Sequence, residues 1–456
     1  MSTGQRVAVV GGGIAGLAAA HSLVTGQHAP QVVVFERDAR LGGKLHTSPF
    51  AGHPGIDEGP DAFLARLPWG TALAASVGLA GQLVSPAAAK AAVWWDALHP
   101  LPQGLLVGLP TEVLALARSQ LLSWPGKLRA ATEIVRPRTA LAADSLGGFV
   151  RARFGDEVQV RLVDPLVGSI YAADTDHFSL AAVPQIADLA RRGRSVLLAA
   201  RKLPRPAANA GPVFYAPSDG MGALAQHTAA AVVAAGGNIR TEAAARELQR
   251  DGSGWRVNGE KFDAVLLACP APVAANLLMA AAPDVAASLA GIPSADVAIV
   301  TVAVPASDWP SRLNGMSGYL VPKPMQRLVT AASFGSQKWS HWALPEVVVL
   351  RISLGRDGLP VLHLSDDQLV SAALDEVGRH LGFALQPRHT RMSRWSGAFP
   401  QYRPHHSERI TAAERALPAG LALAGAGYHG IGVPACIRSG QNAAAVLSQA
   451  LQSLAE

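Results

Sequence analysis

At 456 residues the chain is too long for one compact core, so two or three lobes are expected; with 49% hydrophobic and 16% charged residues it can bury a large interior. The formal net charge is +6, but no nucleic-acid motif or stacking-aromatic pattern accompanies it, so a nucleic-acid binder is not indicated. The two cysteines, Cys269 and Cys436, lie far apart and outside any C-x-x-C, which argues against a zinc cluster or disulfide framework and fits a reducing, cytoplasmic setting.

The opening segment is the most specific. Residues 5–45 read as a βαβ unit, with the apolar run 7–10 ending in G-x-G-x-x-G at Gly11, Gly13 and Gly16. One glycine makes the tight turn, one lets backbone approach a pyrophosphate, and one lets helix and strand pack closely. The helix N-terminus, at Ile14 and Ala15, offers free N–H groups and a positive dipole end to phosphates. A second apolar run, Val32–Phe35, ends in Glu36, a carboxylate suited to a ribose diol, with Arg37 beside it. This apolar start is better explained by the fingerprint than by a signal peptide, and no run of ~20 uninterrupted apolar residues follows anywhere.

Further on, Arg40-Leu41-Gly42-Gly43-Lys44 is a loop able to pass over cofactor phosphates, and Asp57-Glu58-Gly59-Pro60-Asp61 a polar turn. From about 70 to 205 the pattern is mostly helical, with helices expected at 111–122, 145–154 and 156–163, then a linker over 203–211. Arg191, Arg192, Arg194, Arg201, Lys202 and Arg205 concentrate positive charge there, consistent with a solvated basic face and leaving an acidic partner or a peripheral membrane contact open. The α/β pattern resumes with a helix at 221–235 and strands at 238–241, 247–248 and 262–267. Strands at 296–304 and 347–354 suggest a second, mixed sheet, followed by a helix near 366–382. The run 421–427 is strand-then-glycine and 439–451 a closing helix, repeating the first glycine turn.

The motif alone leaves NAD and FAD open. The Arg40–Gly43 loop, the Gly425–Val433 turn and the interrupted domain order favour FAD. The expected fold class is α/β: a Rossmann-like FAD-binding domain assembled from separated segments (1–85, 212–290 and 411–456), a helical insert at 86–205 and a mixed-sheet substrate domain at 291–410.

Several segments, running nearly end to end, carry a resemblance: Val9–Ala19, Arg40–Gly43, Glu58–Phe63, Leu98–Pro102, Asp164–Ala172, Leu267–Pro272, Leu350–Gly355, Trp395 with Phe399-Pro400-Gln401-Tyr402, and Ala424–Pro434. The chain resembles the protoporphyrinogen/coproporphyrinogen oxidase family of haem biosynthesis, within the amine-oxidase-like flavoproteins. The resemblance implies non-covalent FAD and oxygen-using oxidation of a porphyrinogen in three two-electron steps, with coproporphyrinogen III at least as expected as protoporphyrinogen IX. It also leaves room for a downstream iron-inserting enzyme as partner. It places the cofactor at Gly11, Gly13, Ile14, Ala15, Gly16, Glu36, Arg37, Gly43, Lys44, Gly59, Pro60, Asp61, Ala62, Ala245, Trp395, Gly425, Ile431, Gly432 and Val433. It gives Lys90 and Arg66 as cations for propionates, and Ser169, Ile170, Tyr171, Leu320 and Ser353 as pocket walls. His405-His406 stands where the family has Gly-His, and Ser169 where glycine is common. No protein base and no metal site is assigned. The alternatives are another flavin oxidase of this architecture, acting on an amine or polyene, and a porphyrin-binding flavoprotein without turnover.

Overall fold

The structure is a computed structural model, and it describes residues 4–88, 90–137, 144–203 and 211–453. Most of the expected linker, 204–210, lies outside these residues, as does Arg205. In chain order the elements that position the site are β1 (Arg6–Val10), α1 (Ile14–Val24), β2 (Gln31–Phe35), β3 (Lys90–Trp94), β4 (Leu98–Pro100), α2 (Trp124–Ala131) and α3 (Asp164–Tyr171). They continue with α4 (Met221–Ala234), β5 (Asn238–Arg240), β6 (Ala264–Leu267), β7 (Ser294–Pro305), β8 (Met316–Leu320), β9 (Val329–Ser333) and β10 (Val347–Leu354). The last are α5 (Asp366–Leu381), β11 (His389–Pro400), α6 (His406–Arg415), β12 (Leu421–Leu423) and α7 (Val433–Ser453).

Five parallel strands form the first sheet, in the order β5-β2-β1-β6-β12. It draws on the N-terminal, middle and C-terminal parts of the chain, as the separated-segment reading expects. The strands are near-continuous apolar runs because helices cover both faces. On one face α1 packs on α7 at a contact so close that a Cβ at Gly440 would lie 2.1 Å from the Ala15 carbonyl oxygen.

The second sheet has seven strands in the order β11-β7-β10-β9-β8-β3-β4. Its β8–β3 pair is parallel and its other pairs antiparallel. One face, with Ala92, Tyr319, Ala332, Ile352, Val300 and Ala298, packs with Leu369, Ala373 and Val377 of α5. The other face turns toward the first lobe.

Three local expectations are corrected, and the mostly helical reading of 70–205 gains short strands. The stretch 70–205 is not only helical: β3 and β4 are too short for a periodic signal, yet they extend the second sheet. The helix expected at 111–122 spans only Val113–Arg118, because the Ser119 hydroxyl accepts the Leu121 N–H and turns the backbone out of the helix. The segment 156–163 is α-helical only to Val158, then a π-turn over Gln159–Val163 that runs into α3. The closing helix starts at Val433, not Ser439, since Pro434 falls in its first turn, where no N–H is needed.

Candidate functional site

The glycines at the end of β1 divide the work as their chemistry requires. Gly11 has φ +111°, and a Cβ there would strike the Ala268 carbonyl. A Cβ on Gly16 would sit 2.0 Å from the Gly11 oxygen, so this position permits the close strand–helix approach. At Gly13 a Cβ would meet nothing within 4 Å. Gly13 caps α1 without a side-chain acceptor, and no acid lies in the first turn, so the N–H groups of Ile14 and Ala15 are left to an anionic ligand. Glu36, 8% exposed, accepts the Gly12 N–H at 2.7 Å and the Asp38 N–H at 2.9 Å. Its carboxylate is thus fixed at the end of β2 with lone pairs to spare. Arg37 instead is exposed and leans on Asp38 at 3.5 Å.

The Arg40 loop closes over this turn. Gly42 donates to the Gly12 carbonyl at 2.8 Å, and the Arg40 guanidinium ties the carbonyls of Leu41, Gly43 and Leu45. Lys44 keeps accessible surface, yet desolvation lowers its pKa, with the Cys436 thiol opposing. Burial pushes the Cys436 thiol beside Lys44 up to about 11, and the Cys269 thiol up to about 12.

The turn after Asp57 is where the lobes meet. Trp395 donates from its indole to the Glu58 carbonyl at 3.0 Å, and Ser393 donates to the Glu58 carboxylate at 2.7 Å. The Arg351 guanidinium donates to the Gly59 carbonyl and lies 3.6 Å from Asp61. Asp61 also accepts from Lys338 at 2.8 Å and the Trp339 indole at 3.1 Å. Burial opposes its charge, but Lys338 and Arg351 outweigh burial and hold it well below the usual carboxylate range. Pro60 and Ala62 flank this clamp. Asp57, only 1% exposed, behaves oppositely: burial lifts it to about 6, although Thr47 and the Met221 N–H at the start of α4 donate to Oδ1.

At the C-terminal end of the first sheet, β12 leads through Gly425 to Ile431, Gly432 and Val433 at the start of α7. Gly425 and Gly432 have φ +118° and +111°, and a Cβ at Gly432 would meet nothing within 4 Å. Two glycine turns and two helix N-termini from opposite ends of the chain therefore border this sheet edge, and the donor set suits a dinucleotide pyrophosphate. Ala245 is not on a strand, as β5 ends at Arg240. The chain continues irregularly, with Ala243 donating to the Glu36 carbonyl at 2.8 Å, and this pairing carries Ala245 past the ribose-type acid.

The inward face of the second sheet supplies walls. Val93, Leu320, Ala331, Ser353, Ile299 and Ser393 form one cross-strand row, each paired with the next. Leu320, Ala331 and Ser353 stay partly exposed within an otherwise buried sheet. Ser393 anchors this row to Glu58 and, two residues along β10, Arg351 anchors it to Gly59. Ser169, Ile170 and Tyr171 end α3, which touches β8 and β9. Ile170 is 50% exposed, and Ala172 packs with Val297 and Ile299 beside Trp395. Bidentate Arg356 and Asp164, both buried, fix the helix at 2.8–2.9 Å. Lys90, exposed, opens β3, three residues before the Val93 row, and Arg66 is an exposed loop cation. Arg351 and Tyr402 fall within motifs but carry no site role in the sequence, and Lys338 falls in none; Arg351 and Lys338 act through contacts hundreds of residues away, which no local pattern signals.

The two histidines at 405 and 406 play different local parts. His405 has φ +67°, a conformation that favours glycine, and His406 stacks on Tyr402. Among the described residues no group of three or more metal-ligating side chains converges, and no helix is long and apolar enough to cross a membrane.

Comparison with known proteins adds the following. Residues 14–448 match the family model described as flavin containing amine oxidoreductase. The chain is 35% identical to a coproporphyrinogen III oxidase of Mycobacterium tuberculosis, over 99% of each chain. It is 30% identical to that of Bacillus subtilis, over the whole of both. Among solved structures it is similar to a "putative protoporphyrinogen oxidase" from Exiguobacterium sp., with TM-score 0.86, 29% identity and coverage of 99% and 100%.

Proposed function

This chain belongs to the flavin containing amine oxidoreductase family, in its protoporphyrinogen/coproporphyrinogen oxidase group, and binds FAD; from that premise we propose that it oxidises coproporphyrinogen III to coproporphyrin III in haem biosynthesis, with protoporphyrinogen IX as the second substrate. The observation that carries this reading is the cross-strand row from Val93 to Ser393. It is a broad wall of small and apolar side chains, anchored directly to the turn 58–61 and closed at one side by the end of α3. A porphyrinogen is a large apolar disc with carboxylate arms and needs such a wall with cations at the rim.

The chemistry supplied by FAD when bound is acceptance of two electrons and a proton from a macrocycle carbon, three times per porphyrin, with O2 as the final acceptor giving hydrogen peroxide. The chain's own residues bind and orient. Ile14 and Ala15 N–H groups and Lys44 hold the pyrophosphate, and Glu36 the adenosine ribose, with Ala245 beside it. Gly59–Ala62, Trp395 and the Gly425–Val433 turn border the reacting end. Leu320, Ser353, Ser169, Ile170 and Tyr171 align the disc, and Lys90 and Arg66 meet propionates. With this assignment, residues 1–85, 212–290 and 411–456 form the cofactor lobe, and 86–205 with 291–410 the substrate side.

Peripheral contact with a cytoplasmic membrane face, or with a downstream iron-inserting enzyme, is supported by the apolar face of α2. There Trp124 is 80% and Leu128 71% exposed, with the Lys127 ammonium 4.8 Å from the Trp124 ring centroid.

Anaerobic mixing with the two porphyrinogens in parallel, followed by aerobic kcat/KM, tests the function. The proposal expects porphyrin formation from both and a higher kcat/KM for coproporphyrinogen III. Porphyrin formation from neither would refute it.

A further inference from the structure

We propose that Tyr402 is a positioning residue whose hydroxyl holds the Gly425–Val433 turn in the shape that meets FAD. The inference rests on the reading of that turn as flavin-facing.

The turn holds only part of its own shape: the Tyr428 N–H donates to the Gly425 carbonyl at 3.2 Å, and the Gly425 N–H is fixed by the Ser439 hydroxyl at 3.0 Å. Gly425, Gly430 and Gly432 all have φ between +111° and +118°, a region where glycine gains nothing from side-chain packing and loses much backbone freedom on ordering. Tyr402 supplies the missing restraint from outside. Its hydroxyl donates to the Ala426 carbonyl at 2.7 Å and accepts the Gly430 N–H at 2.8 Å, so one atom closes the neck of the turn from both sides. The ring is fixed in turn. It is 5% exposed and stacks on His406 with centroids 3.9 Å apart and planes 11° apart, and the His406 ring lies against the backbone of Gly427 and Tyr428. Burial raises the Tyr402 phenol well above its ordinary pKa, so the hydroxyl stays a donor at any working pH.

Tyr402 also packs toward the end of α3. Phe178 lies nearly parallel to it at 6.1 Å and meets Tyr171, the last residue of α3, at 5.1 Å. The Tyr402 carbonyl accepts the Ser179 N–H at 2.7 Å. One side chain thus sets the spacing between the cofactor turn and the helix end that aligns the substrate. Among the described residues no other side chain hydrogen-bonds both limbs of the turn.

The test uses the full chain, stripped of FAD and reconstituted. In Tyr402→Phe the ring stack remains and only the two hydrogen bonds go. The proposal expects the FAD dissociation constant to rise on the order of 10-fold, with a changed visible circular dichroism of the bound flavin. Tyr402→4-aminophenylalanine, which restores a donor and acceptor at the para position, should recover both signals. It also provides the readout if Tyr402→Phe fails to fold: native affinity and dichroism support the clamp, and failure to recover them overturns it. A merely structural role predicts equal loss of thermal stability with and without FAD, at unchanged affinity and dichroism, and that result overturns the proposal. Ile431→Ala separates the two levels. If it changes the flavin signals while Tyr402→Phe does not, the clamp is refuted and the flavin-facing turn stands. If it leaves them unchanged, the turn does not face FAD and the reading beneath the proposal fails.

Discussion

Asp57 and Asp61 lie four residues apart on one turn, and their opposite environments predict opposite pH signatures. Asp57 is buried at the start of α4, with its Oδ2 unpartnered, and burial raises it from an ordinary 3.8 to about 6. Its proton is therefore bound more tightly in the folded chain than in the unfolded one. Between these two values the folded state binds more protons, so this group's contribution to stability grows as pH falls and is lost as pH rises through about 6. The full difference is roughly 3 kcal/mol, of which about 1.3 kcal/mol develops between pH 7 and pH 5. Asp57→Asn keeps Oδ1 as acceptor for Thr47 and Met221 and removes the titration. Urea unfolding of the FAD-loaded chain at pH 5, 6 and 7 should show the variant gaining on wild type as pH rises, by about 1.3 kcal/mol over this range. A constant difference between the two proteins across these pH values would refute the buried, destabilised carboxylate.

Asp61→Asn should act with the other sign, because the carboxyl is held low by Lys338 and Arg351. Stability from this group is complete above about 4 and is lost as pH falls further, so the variant should be less stable by about 3 kcal/mol near neutrality, and unfolding curves should converge in acid. His405→Gly should stabilise the chain by about 0.5–1 kcal/mol, since it relieves a left-handed backbone at an exposed position; denaturant midpoints check this. Lys90→Ala should raise KM for the porphyrinogen with FAD content unchanged, and an unchanged KM would remove Lys90 from the site.

The first βαβ unit was legible because every part of it is local: apolar run, glycine spacing, helix and terminal acid follow within one stretch of chain. The second sheet was visible only in β7 and β10, which are long and densely β-branched. β3 and β4 gave no periodic signal, being five and three residues long. The acids of the 57–61 turn were seen as a polar turn, but their fates depend on partners far away in sequence, Lys338, Arg351 and Met221. Tyr402 falls within a motif, yet its role as a clamp depends on the carbonyl of Ala426 and the N–H of Gly430, which only folding brings to it. The start of α7 was misplaced because Pro434 reads as a helix breaker unless its place in the first turn is known. The departure at His405 was evident in the sequence, and the backbone supplies its physical meaning, a position built for glycine.

The central claim is that a porphyrinogen is bound against the Val93–Ser393 wall and delivers its electrons to FAD. Anaerobic titration of the FAD-loaded chain with coproporphyrinogen III tests it most directly, by counting flavin bleached per molecule of substrate added. The account predicts that each porphyrinogen bleaches three equivalents of flavin and appears as porphyrin fluorescence in the same titration. An oxidised flavin spectrum that persists through a molar excess of coproporphyrinogen III, with no porphyrin formed, would contradict it.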